Sequence, residues 1–108
     1  MQNYQGDISI LSNKKIEEEA KKQKFEKLSD KGLVVAEGEV TGHKHLLVAD
    51  PQSDVEIAQD QFGYFIKVNK GSAVLNHEQH GIQEIGVGIH FIGSQWEYDE
   101  LKERRVQD

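Results

Sequence analysis

Leu33 to Asp50 reads LVVAEGEVTGHKHLLVAD, and the reading of this stretch decides the fold. Two apolar-rich segments, Leu33 to Val40 and His43 to Asp50, flank Thr41-Gly42, a composition suited to a tight β-hairpin loop. With those two residues as the loop, Val40 faces His43, Gly38 faces His45 and Ala36 faces Leu47. That register puts Val34, Ala36, Gly38 and Val40 on one face with His43, His45, Leu47 and Ala49. Both imidazoles then point inward, opposite a glycine that leaves them room, while Glu39 meets Lys44 on the solvent side. One long strand bent at Gly42 would instead bring Glu37 and Glu39 to the histidine face. The hairpin is the preferred reading.

Working outward, Asp50-Pro51-Gln52-Ser53-Asp54 has the composition of a turn. Phe62 to Asn69 (FGYFIKVN) is the strongest strand signal, with Phe62, Tyr64, Ile66 and Val68 on one face. Lys70-Gly71 turns the chain into a strand over Ser72 to Asn76. A loop holding His77 and His80 ends at Gly81, and strands Ile82 to Ile85 and Ile89 to Tyr98 flank a Gly86-Val87-Gly88 turn. Upstream, Gly6 to Leu11 forms a short strand. Ser12 or Asn13 then caps a helix predicted over Lys14 to Leu28, which Ser29-Asp30-Lys31-Gly32 ends. Ile16, Ala20, Phe25 and Leu28 give that helix only a thin apolar stripe. A solvated helix lying on the barrel or projecting from it is favoured over a partner-binding or oligomer-forming one.

Short strands at this spacing predict a mainly β protein, a small antiparallel barrel or jelly roll, with one charged N-terminal helix. The 108 residues suffice for a single domain: helix at 14–28, β core at 33–98 and polar tail at 99–108. Apolar residues make up 36% of the chain, so the core is small, and a homo-oligomer or a bound metal would add stability. The net charge of −6 argues against nucleic acid as a partner. Nothing resembles a signal peptide or a membrane span, so a soluble, cytoplasmic protein is expected.

All five histidines fall between His43 and His90, and four form two tight pairs, His43-Lys44-His45 and His77-Glu78-Gln79-His80. On a strand an H-x-H pair projects both rings to one side, and an H-x-x-H pair in a turn can converge on one point. Together they can fill three or four positions around a divalent transition metal such as zinc, iron, nickel or manganese. With no cysteine in the chain, such a site is histidine-rich. Glu37, Glu39, Glu78 and Glu97 are the candidate carboxylates, with Glu78 or Glu97 as general base. Three histidines plus water would leave an open position, suited to attack on a small ester, phosphoester or amide. Four would close the site. HEQH is not the helical HExxH of zinc proteases, and histidines near turns often only form hydrogen bonds.

The remaining features are weaker. Gly81-x4-Gly86-x-Gly88-x-His90 resembles the second half of a cupin motif, with glycine where that motif has proline at position 86. The first half lacks its glutamate, since Leu46 to Ala49 are apolar or small. His90 shares a strand face with Ile92, Trp96 and Tyr98, so a packed histidine is favoured over a ligand. Trp96 reads as a core anchor, and Arg104-Arg105 as partners of nearby acids more than as a phosphate grip. No nucleotide loop or serine nucleophile elbow is present.

GEVTGHKH (Gly38 to His45), HEQHGI (His77 to Ile82), QWEY (Gln95 to Tyr98) and RRVQD (Arg104 to Asp108), with the early QGD (Gln5 to Asp7), carry a resemblance. They are similar to a family of small proteins from bacteria and their phages with GEVTGHxH, HExH, QxEY and a basic tail. The resemblance covers nearly the whole chain except the helix and the Pro51 loop. It implies no particular activity. This chain departs from the pattern at Gly86-Val87-Gly88, where the family tends to have proline, and its helix looks like an insertion; the paired histidines are intact. The competing function is a non-catalytic interaction or oligomeric module whose histidines are structural. A third is a metabolite-binding barrel without metal.

Overall fold

A computed structural model describes residues 9–37, 44–61, 63–77, 81–93, 98, 99, 101 and 103, and at Ser9, Ala36, Glu37, Lys44 and His77 the backbone alone. Among these residues the elements follow in the order β1 (Ser9–Leu11), α1 (Lys14–Ala20), β2 (Glu26–Lys27), β3 (Leu33–Glu37), β4 (Lys44–Ala49), β5 (Asp54–Asp60), β6 (Gly63–Lys70), β7 (Ala73–His77), β8 (Gly81–Ile85) and β9 (Gly88–Gly93). They form two antiparallel sheets, β1-β9-β6-β5-β2 and β3-β4-β7-β8. The chain is mainly β, as expected. Among the described residues the strands do not close into a barrel, because the pairing ends at β1 and β2 in one sheet and at β3 and β8 in the other. Hairpins β3–β4, β5–β6 and β7–β8 each stay within one sheet, which lends the jelly-roll expectation no support.

The two sheets pack face to face. Leu47, Ala73, Leu75 and Ile85 of the four-stranded sheet meet Val55, Ile66, Val68 and Ile92 of the other, with Leu28 completing the cluster. Tyr64, Ile66 and Val68 share the inward face, as the period-2 pattern predicts, while Phe62, the fourth residue of that expected face, lies outside the described residues. The five-stranded sheet is apolar on its reverse face too. There Ala58, Phe65 and Phe91 pack with Ile16 and Ala20 of α1 and with Leu101. The Phe65 and Phe91 rings meet edge to face, centroids 5.2 Å apart.

Helix α1 is shorter than predicted. Asn13, not Ser12, is the N-cap, its Oδ1 accepting from the Ile16 N–H at 2.9 Å. The helix ends at Ala20 and does not reach Leu28. A helix continued to Phe25 would turn it roughly 180° away from Ile16, at 100° per residue. Breaking after Ala20 lets Phe25 return to the apolar cluster and frees Glu26–Lys27 to pair with β5. Ser29 to Gly32 is therefore a turn leading into β3, closed by the Gly32 N–H to the Ser29 carbonyl at 2.9 Å.

Two further expectations are corrected. Asp54–Asp60 is the seven-residue strand β5, whereas the sequence pattern assigns only Asp54, and assigns it to a turn. Tyr98 is helical, not the end of a strand, and the tail is not wholly polar: Asp99, Leu101 and Glu103 are helical too, with Leu101 buried. Among the described residues no helix is long and apolar enough to cross a membrane.

Candidate functional site

Strands β3 and β4 pair antiparallel, as the hairpin reading expects, but in a different register, and the expected Thr41-Gly42 loop lies outside the described residues. Ala36 pairs with His45 and Glu37 with Lys44, so the partner of His45 is Ala36 and not Gly38, and that of Lys44 is Glu37 and not Glu39. The offset of two residues is even, so it leaves the strand faces unchanged. A bulge between Val34 and Ala36 alters the parity further along. Leu33 and Val35 consequently pack on the core, while Val34, expected inside, is 37% exposed.

His45 lies on β4 two residues before the core residue Leu47 and is 7% exposed, as the inward orientation requires. Across the β4–β7 ladder its Cα partner is His77, the last residue of β7. The same end of the sheet holds Glu37, the last residue of β3, and Gly81, the first of β8. Two central strands thus bring one member of each histidine pair to adjacent positions on the backbone. His43, His80, Glu39, Glu78 and Glu97 lie outside the described residues, as do Trp96, Arg104 and Arg105. Among the described residues there is no group of three or more His, Asp or Glu side chains that could hold a metal ion.

His90 stands apart from these. Its Nε2 is 2.9 Å from the carbonyl oxygen of Gly86, which can only accept, so Nε2 carries the proton. Its Nδ1 makes a short hydrogen bond with the Ser12 hydroxyl, which donates to it. His90 is on strand β9, as expected, but it is half-buried and hydrogen-bonded at the surface instead of packed with Trp96 and Tyr98, of which Trp96 lies outside the described residues and Tyr98 is helical. Sequence reasoning considers Ser12 only as a helix cap and does not find this contact. The signal is in the register, for Leu11 pairs with Phe91 and the next positions along the two strands are Ser12 and His90. Beside them, Asn13 Nδ2 donates to the Tyr98 hydroxyl at 3.1 Å, joining the start of α1 to the C-terminal helical residues.

The outer face of the four-stranded sheet carries a row of cross-strand partners, Val34, Leu46, Asn76 and Ile82. Ile82 on the edge strand β8 is 72% exposed.

A family model described as a domain of unknown function (DUF8820) matches residues 4–95. No curated protein and no solved structure matches the chain.

Proposed function

This chain belongs to the DUF8820 family, and from its own residues we propose that it binds one divalent transition metal through His43, His45, His77 and His80. The observation that carries this reading is the β4–β7 register, which makes His45 and His77 cross-strand partners. Residues directly opposite in an antiparallel pair have Cβ atoms about 4.5–5.5 Å apart on one face, a separation two imidazoles can bridge with a single ion. His43 lies two residues before His45, and His80 three after His77. The donor set fits: imidazole without thiolate suits zinc, iron or nickel, whereas manganese would also call for a carboxylate such as Glu78 or Glu97. A metal held by three of the four would supply Lewis acidity for hydrolysis of a small ester, phosphoester or amide, with Glu78 or Glu97 as general base. Held by four, it would be structural.

The test is calorimetric titration of chelator-treated, tag-free protein with zinc. His45→Ala and His77→Ala should each weaken binding by more than the roughly 10–100-fold that a lost outer-shell partner costs. Affinity unchanged in both variants contradicts the reading.

A second reading is favoured by the outer face of the four-stranded sheet. Val34 and Ile82 are exposed there, and β8 presents a sheet edge. A non-catalytic interaction or oligomeric module of bacterial or phage origin would use this surface. Helix α1 serves that reading poorly, since Ile16 and Ala20 are spent on the core.

A further inference from the structure

We propose that Ser12 is a base-activated nucleophile, with His90 as its general base, open to acylation by small activated esters. The proposal does not depend on the metal reading. Three parts of a nucleophilic site are in place. The nucleophile and base are in direct hydrogen-bond contact, Ser12 Oγ to His90 Nδ1. The base is oriented by a third group, because His90 Nε2–H donates to the Gly86 carbonyl at 2.9 Å. That bond fixes the tautomer in which Nδ1 holds a lone pair toward Ser12. The ring roles are the reverse of those in the Ser-His-Asp triad, where Nδ1 is the oriented nitrogen, but the logic of nucleophile, base and orienter is the same.

The serine is also accessible and held. Ser12 is exposed to solvent. Leu11 before it is fixed in the ladder with Phe91, and Asn13 after it is fixed by its bonds to Ile16 and Tyr98. Holding the reacting groups in this way lowers the entropic cost of attack. Other serines are used differently: Ser29 Oγ accepts from the Lys31 N–H and Ser53 Oγ from the Ser72 N–H.

In the step itself the Ser12 O–H proton passes to His90 Nδ1 as Oγ bonds to the acyl carbon. The bond from that carbon to the leaving group then breaks, and the leaving group departs with the electron pair and takes the proton from Nδ1. Ester and serine become acyl-serine and free alcohol or thiol. No oxidant or further reactant is needed. Assistance by proton removal favours donors with a good leaving group, namely aryl esters and thioesters.

The test treats the full chain, with chelator present, with p-nitrophenyl acetate and separately with a fluorophosphonate probe. Intact mass and peptide mapping then locate the adduct. Ser12 should carry it in preference to Ser29, Ser53 and Ser72, and His90→Gln should slow its formation about 100-fold or more, the lower range for general-base assistance. An adduct spread evenly over the serines, no adduct, or an unchanged rate in folded His90→Gln overturns the proposal. If His90→Gln does not fold, Ser12→Ala at its exposed position decides: loss of the adduct supports the proposal, and the same adduct yield overturns it.

Discussion

His45 and His77 are Cα partners across the β4–β7 ladder, and His45 is all but removed from solvent there. A buried imidazole needs polar partners, and His45 carries that need on a central strand, with the His77 backbone as its cross-strand partner. This relationship, and the apolar layers beneath it, set the outcomes expected of particular substitutions.

The reverse face of the five-stranded sheet depends on Phe65 and Phe91, both fully buried and in edge-to-face contact. Phe91→Ala should lower unfolding free energy by about 3–5 kcal/mol, the range for a large buried aromatic. Urea denaturation followed by tryptophan fluorescence measures it. A loss under about 1 kcal/mol would mean that α1 is not seated on this face.

Asn13 makes two separable bonds, accepting from Ile16 and donating to Tyr98. Asn13→Asp keeps the cap acceptor and loses the donor, while Asn13→Ala loses both. Asn13→Ala should cost about 0.5–2 kcal/mol, and Asn13→Asp less. Equal losses in the two variants would show that the cap contributes nothing.

Gly71 adopts φ +80°, and an added Cβ would collide with Ser53 Oγ, the group that accepts from the Ser72 N–H. Gly71→Ala should therefore destabilise by roughly 1–3 kcal/mol. Gly86 has open space around it and no positive φ. Gly86→Ala should be neutral or stabilise by up to about 1 kcal/mol. Thermal melts of the two variants, run side by side, should move in different directions or by clearly different amounts.

Ile82 is exposed on an edge strand, where its side chain adds little to the fold. Ile82→Lys should leave stability within about 0.5 kcal/mol and, on the interaction reading, reduce self-association seen by analytical ultracentrifugation, since lysine on an edge strand opposes pairing. A parent chain that stays monomeric at high concentration removes support from the oligomeric form of that reading.

The mainly β character, the β3–β4 hairpin and the inward face of Tyr64, Ile66 and Val68 are legible in the sequence because period-2 alternation is a local signal. The end of the helix is not, because a Glu- and Lys-rich composition favours helix throughout, whereas burial decides where it stops. Ile16 and Ala20 reach the sheet, and Phe25 on a continued helix could not. β5 is obscured because Val55 and Ile57 face one core while Glu56, Ala58 and Asp60 alternate with them, so charge masks a strand lying between two apolar layers. The second layer itself is hidden in Phe65 and Phe91, which sit at the opposite parity from the face that the alternation of β6 makes plain. Of the candidate site, the paired spacing marks out His45 and His77, and the ladder makes these two cross-strand partners. The partners of β4 on its other side depend on a bulge at Val34–Ala36 that no short motif encodes.

Metal analysis of tag-free protein, purified without chelator, tests the central claim most directly. The account predicts about one equivalent of a divalent transition metal per chain, lost from His45→Ala and His77→Ala variants that retain the parent circular dichroism spectrum. Parent protein with only trace metal that also fails to take up added zinc, or variants that hold as much metal as the parent, would contradict it.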